Sequence, residues 1–296
     1  MLFYRFLKRN ILLYFRDKTS VFFSFLSTLI VLALMIGFLG EGNVTSTLNA
    51  LGTGQSGEHT YASSLVIIWT IAGIIVVNAV SISMSLVATM VRDEEEGKMA
   101  AFLVAPVKRW VYVTGYVLAA VLVAFLMCVL TFVIGEAYIA LIGGYVVTPG
   151  EAGWALLILL AIILSSAAFV FLCASFVHTN SAFVGLTTVI GSLIGFLAAI
   201  YIPYGGMPKF LRDVIRFLPV FQGASVLREV LMERTIAWFD CAPEIKSGYA
   251  DYMGLVIQFG DHTLSSMEKV LYMLAAGLGL LVAATVVLSH KKQTDR

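Results

Sequence analysis

Few residues in this chain have the type and spacing that chemistry requires. The stretch GTGQSGEH, residues 52–59, has glycines at the separation of a phosphate-binding loop. Glu58 and His59 stand where such a loop needs Lys and Ser or Thr, and no strand precedes it. It reads as a connection, so the chain carries no ATP-binding motif of its own. His59, His178, His262 and His290 are scattered over different loops and ends, without H-E-x-x-H or i, i+4 pairing. Metal catalysis is therefore not expected. Cys128 and Cys173 lie inside apolar runs and no C-x-x-C pair exists, which suggests neither a disulfide framework nor a zinc site. A G-x-S-x-G nucleophile elbow is also missing. No catalytic residue is assigned.

One segment concentrates charge: VRDEEEGKMAAFLVAPVKRW, residues 91–110, with Asp93, Glu94, Glu95 and Glu96 in a row. Only 12% of the chain is Asp, Glu, Lys or Arg, and 60% is hydrophobic. An ordinary soluble domain is about 25% charged and about 45–50% apolar. One acid at the centre of a membrane helix costs about 2.5–3.5 kcal/mol, so burying four costs on the order of 10 kcal/mol. The segment must leave the bilayer. A solvated connector satisfies that requirement. A docking element does so too, because residues 99–106 are apolar again and suit a short helix that Pro106 would end. Spacing alone leaves both open.

The elements that position this segment are apolar helices. Crossing about 30 Å of hydrocarbon takes roughly 20 residues. Six stretches qualify: 21–39, 63–90, 111–134, 154–177, 183–202 and 270–289. The first is too long for a signal-peptide core and lacks a small-residue cleavage site, so no cleaved leader is expected. Lys and Arg gather before the first stretch, between the second and third, and after the sixth, whereas residues 40–62 and 143–153 carry none. The positive-inside rule puts those basic segments in the cytosol. The expectation is an all-α, multi-pass protein of the cell membrane with both termini cytoplasmic. The net charge of +1 includes no basic stripe, so no nucleic-acid partner is expected.

The chain is read as one domain over 1–296, divided into 1–20, 21–202, 203–269, 270–289 and 290–296. In the first piece Arg5, Lys8, Arg9 and Arg16 gather on one helical face, with Phe3, Phe6, Leu7, Leu13 and Tyr14 on the rest. That pattern suits a helix lying in the membrane interface. Residues 209–218 and those after Gly223 read as two short amphipathic helices that dip into the outer leaflet or cap the bundle, started and stopped by Pro208 and Pro219. Within the apolar stretches, Asn78, Ser81 and Ser85 share a face. Asn78 could line a substrate path or bond a neighbouring helix, and the second reading is preferred. Glu136 either joins that path or reaches the outer interface. Gly191 with Gly195, and Ala275 with Gly279 and Ala283, form small-residue stripes expected to pack inside the bundle.

Three segments in order carry a resemblance: FLKRNILLYFRDKTSVFFSFL, RDEEEGKMAAFLVAPVKRWVYVTGYVLA and IPYGGMPKFLRDVIRFLPVFQGASVLREVL. Together with six spans they resemble the membrane subunits of type-2 ATP-binding-cassette exporters, the ABC-2 permeases, over nearly the whole length. Residues 235–266 depart from that pattern by their length. The resemblance implies a half-transporter, working with a second permease copy and with a separate cytosolic nucleotide-binding subunit that holds ATP and Mg. It implies that Arg92, Asp93, Glu94, Glu95, Glu96, Gly97, Lys98, Phe102 and Pro106 form the coupling element, that His178 belongs to a second, smaller contact, and that Arg5 to Lys18 flank them. Bacterial export of a drug, a lipid-like molecule or a membrane-active peptide is the expected role. An ATP-independent secondary carrier or a membrane scaffold is the alternative.

Overall fold

The computed structural model describes residues 2–34, 37, 40–52, 54–98, 109–177, 179–260 and 262–294. Among these residues the architecture is all-α apart from one small hairpin. Its helices are α1 (Leu2–Arg16), α2 (Lys18–Leu34), α3 (Gly40–Leu51), α4 (Glu58–Glu95), α5 (Arg109–Leu141), α6 (Pro149–Ser175) and α7 (Asn180–Leu197). A 3-10 turn (Tyr204–Gly206) follows, then α8 (Lys209–Ile215), α9 (Pro219–Trp238), α10 (Pro243–Met253) and α11 (Ser266–Thr294). The hairpin before α11 pairs β1 (Gln258–Phe259) with β2 (His262–Thr263), antiparallel, Gln258 opposite Thr263.

Among the described residues five helices are long and apolar enough to cross a membrane: α4, α6, α7, residues 114–141 of α5 and residues 266–287 of α11. The expected first span falls on α2, which has 17 residues and so rises about 26 Å, short of a full crossing on its own. Residues 35, 36, 38 and 39 lie outside the described set, so five crossings are shown among the described residues and the sixth, expected at 21–39, is not confirmed.

Local chemistry sets the helix starts. Thr148 and Glu151 form a reciprocal capping box, with Thr148 N–H donating to Glu151 Oε2 at 2.7 Å and Pro149 opening α6. The Thr179 side chain accepts from Ala182 N–H at 3.3 Å and starts α7. At α4, Glu58 accepts from the backbone N–H groups of Gln55 and Gly54 at 3.0 and 3.2 Å. The glycines of the phosphate-loop lookalike therefore serve a turn, with Gly57 at φ +93°.

Helix α4 is the centre of the bundle, touching α2, α3, α5, α6, α7 and α9. Helix α9 is the surprise. The second expected amphipathic surface helix is a 20-residue helix packed against α4, α6 and α11, with Pro219 at its start rather than ending α8. Gln222, Ser225 and Arg228 on it are completely buried. Arg228 explains how a charge sits there. Its Nε donates to Trp69 O at 3.3 Å, and its Nη2 donates to Ala198 O at 2.9 Å and Ala199 O at 3.0 Å. Those alanine carbonyls follow the last turn of α7, where carbonyls lack intrahelical partners and the helix dipole favours a cation. The guanidinium also lies 5.0 Å from the centroid of the Trp69 ring. A Cβ on Gly73 would stand 3.1 Å from Nη2 and 2.3 Å from Ile200 Cγ1, so glycine makes the seat.

The small-residue stripes do not pack as expected. Gly191 and Gly279 have nothing within 4 Å of a notional Cβ, and Gly195 meets its own Tyr201 ring. The close crossing of α6 and α11 is at Gly277, whose Cβ would stand 3.1 Å from Ser165 Cα. A spacing rule marks helices that can approach closely, but the phase of the partner decides which glycine is used.

Replacing Arg228 by Ala leaves the buried Ala198 and Ala199 carbonyls, beyond the end of α7, without their donor. Each orphaned group costs about 1–3 kcal/mol. Thermal unfolding of the purified chain, followed by tryptophan emission, is expected to drop by several degrees, and Gly73→Val is expected to do the same by blocking the seat. Midpoints equal to that of the unsubstituted chain would refute this account of α9.

Candidate functional site

The last turns of α4 carry the acidic run, and helical phase divides it. Leu86, Met90 and Asp93 continue the buried face, while Arg92, Glu94, Glu95, Glu96 and Lys98 are exposed. Gly97 takes φ +71° and turns the chain out of the helix. Four acids at a helix C-terminus oppose the helix dipole, so each needs compensation. Lys98 pairs with Glu96 and lies 3.8 Å from Asp93.

Asp93 is 3% exposed and is held from two other helices. Arg9 Nη2 of α1 donates to its Oδ2 at 2.9 Å, and the Tyr116 hydroxyl of α5 donates to the same oxygen at 2.6 Å. Phe6 packs edge-on to Tyr116 with ring centroids 5.0 Å apart, and lies under the Arg9 guanidinium at 5.9 Å. Burial alone would lower the Arg9 pKa; the hydrogen bond and charge of Asp93 outweigh it and raise the pKa above its ordinary value. Asp93 thus clasps α1, α4 and α5 and presents little to a partner. Glu94, Glu95 and Glu96 form the presented surface.

A second contact extends that surface. Glu95 Oε2 accepts from the Asn180 backbone N–H at 3.1 Å, at the first residue of α7. A carboxylate is favoured at a helix N-terminus. The acidic turn and the start of α7 therefore lie side by side. Phe102, Pro106, the apolar segment 99–106 and His178 fall outside the described residues.

On α1, Arg5, Lys8 and Arg16 are exposed and Arg9 is half-buried. Phe6, Asn10 and Tyr14, at a spacing of four, form its buried face. Tyr4, Leu12, Leu13 and Phe15 remain exposed beside the cations. The apolar residues thus divide between the bundle and the outside.

The polar residues of α4 and α5 are not gathered into one site. Asn78 Nδ2 donates to Thr28 Oγ1 at 3.0 Å and to Thr131 Oγ1 at 3.1 Å, joining α2, α4 and α5. Ser81 is exposed and Ser85 is partly buried. Glu136, farther along α5, accepts from Val147 N–H at 3.1 Å and fixes the loop that leads into α6. Among the described residues no three His, Cys, Asp or Glu side chains could hold a metal ion.

Sequence reasoning missed Tyr116, Arg228, Glu229 and Lys269. The last pair is an α9–α11 tie, with Lys269 Nζ donating to Glu229 Oε2 at 2.6 Å and to Leu255 O at 2.5 Å. Charges inside valine- and leucine-rich windows were the available signal for Arg228 and Glu229. For Tyr116 there was none beyond its hydroxyl.

Asp93→Asn keeps the shape and removes the charge that holds Arg9. A hydrogen bond to a charged group is worth about 1.5–3 kcal/mol. Hydrogen exchange over residues 2–16 should therefore quicken by roughly tenfold or more, as it should in Arg9→Glu. The double exchange Arg9→Glu with Asp93→Arg should recover part of the protection. Unchanged exchange in all three variants would sink the clasp.

The family model described as "ABC-2 family transporter protein" matches residues 43–288, well over half of the chain. No curated protein matches it. The matched region runs from α3 through α4 with its acidic turn to the last apolar helix, all of the elements that build the site except α1 and α2. With five apolar helices long enough to span a bilayer and this match across them, the chain is a multi-pass membrane protein and belongs to the ABC-2 family of transporter proteins.

Proposed function

We propose that the chain is the permease subunit of an ATP-driven exporter, and that the Glu95 end of α4 receives the push of a separate cytosolic nucleotide-binding subunit. One observation carries this reading. The exposed acids Glu94, Glu95 and Glu96 are mounted on the central helix beside the start of α7, and the buried Asp93 fastens that mount to α1 and α5. A force applied to the acidic turn would reach four helices at once. The Lys and Arg bias supports a cytosolic position for this end and for both termini.

The mechanism is alternating access by rigid-body shifts. A ligand moves a conformational equilibrium only by its difference in affinity for the two states, and here the ATP-bound partner would supply that difference. Two copies of the permease would frame the path. The exposed surfaces of α5, α6, α7 and α11 are mostly Leu, Val and Phe, which favours a hydrophobic or amphipathic cargo: a drug, a lipid-like molecule or a membrane-active peptide. Helix α1, with Arg5, Lys8 and Arg16 exposed beside Tyr4, Leu12 and Phe15, suits the cytosolic membrane interface.

The test uses the permease co-expressed with a cassette ATPase from a neighbouring gene, where one is encoded there. Changing Glu94, Glu95 and Glu96 to Ala should leave the permease in the membrane and cut recovery of the ATPase on purification by tenfold or so, the loss expected from about 1.4 kcal/mol of binding. Normal recovery would overturn the docking role of the acids; failure of the unsubstituted permease to recover any ATPase, with cargo movement driven by an ion gradient, would instead favour the secondary carrier.

A further inference from the structure

At the opposite end of the bundle from the acidic turn, α6, α9 and the start of α11 enclose a cleft of about 570 Å³. That volume lies within the roughly 300–1,000 Å³ of small-molecule sites. Its walls are Trp154 and Ile158 of α6, Val226 and Val230 of α9, and Met267 and Val270 of α11. Trp154 and Met267 are about half exposed, at 49% and 51%, so the apolar wall opens at its rim.

The polar lining is lopsided. Glu151 and Glu233 both line the cleft, and no Lys or Arg does. Glu151 is already answered, by Arg234 at 3.5 Å and by its own capping box. Arg234 in turn donates to the Tyr145 hydroxyl at 2.8 Å. Glu233 is exposed and makes no hydrogen bond or ion pair among the described residues. Glu229 and Glu233 are four apart on α9, a spacing at which like charges disfavour the helix. Lys269 neutralises Glu229 at 2.6 Å and Ser266 donates to it at 2.7 Å. Nothing does so for Glu233. The two lysines bordering its other side are committed, Lys269 to Glu229 and Lys246 Nζ to Ala237 O at 3.1 Å. Val226, Val230 and Glu233 follow one another along one face of α9, so the carboxylate ends an apolar track.

We infer that this cleft binds an amphipathic cation, its ammonium group on Glu233 and its hydrocarbon chain against Trp154, Ile158, Val226 and Val230. An anion would be repelled by the unpaired Glu233, whereas a neutral alkyl chain would use the apolar wall alone. The same chemistry belongs to a lipid ammonium headgroup and to a free alkylamine. Binding needs neither ATP nor a partner, so the inference stands apart from the proposed export cycle.

The full chain is placed in phosphatidylglycerol nanodiscs, whose lipid has no ammonium group. A bromine-labelled dodecylammonium is titrated while tryptophan emission is followed, with the bromine-labelled dodecanol as reference. The ammonium should give saturable quenching that Trp154→Phe removes. Glu233→Gln should weaken it roughly tenfold, the loss of one charge-assisted hydrogen bond. Glu244→Gln, an exposed acid elsewhere, should leave it unchanged. Equal curves for ammonium and alcohol, or a Glu233→Gln curve matching that of the unsubstituted chain, overturns the site. Adding phosphatidylethanolamine to the nanodisc identifies the source: competition marks a lipid headgroup, and its absence marks a soluble amine.

Discussion

A guanidinium with no access to water holds this bundle together. Arg228 reaches from α9 to a carbonyl of α4 and to two carbonyls beyond the last turn of α7. A buried cation is costly unless its donors are used; here backbone oxygens take Nε and Nη2 without a counter-charge, while Nη1 has no hydrogen-bond partner among the described residues. The arrangement fixes where α7 stops and where α9 lies. Around it, Trp69 Nε1 donates to Met253 O at 3.2 Å, and Ser225 donates to Leu255 O at 3.0 Å. The segment between α7 and α11 is therefore pinned into the bundle by side chains bonding to main chain.

The other end relies on a different device. Asp93 is a paired charge, with Arg9 and Tyr116 both aimed at one carboxylate oxygen. Two charged seats, one built on carbonyls and one on an ion pair, thus bracket an apolar middle. Between them Asn78 contributes hydrogen bonds to two threonines on neighbouring helices. Polar contacts are few, and each joins helices that apolar packing alone would leave free to slide.

The helices were legible in the sequence for a plain reason. Long apolar runs leave the backbone no partner but itself, so α4 to α7 and α11 announce themselves by length. The acidic run was equally visible, because four adjacent acids cannot stay in hydrocarbon. What could not be read was which acid turns inward. That depends on the phase of α4 against α1 and α5, although the stripe Leu86, Met90, Asp93 was there to be extended. Helix α9 was misjudged because its apolar residues lie all around it, and a buried arginine in such a helix has no periodic signature. The glycine stripes failed in another way: Gly277 was passed over and Gly279 chosen, since neither α6 nor its register could be seen.

Helix α4 is one unbroken element of 38 residues, about 57 Å from end to end, and it contains no proline. Its only glycine is Gly73, the point where bending would cost least, and that point is plugged by Ile200 and Arg228. The helix is thereby a stiff lever with its weak spot splinted. With no proline and its one glycine filled, a tilt at Glu95 would be carried along the helix toward Glu58 and the α3 residues packed beside it.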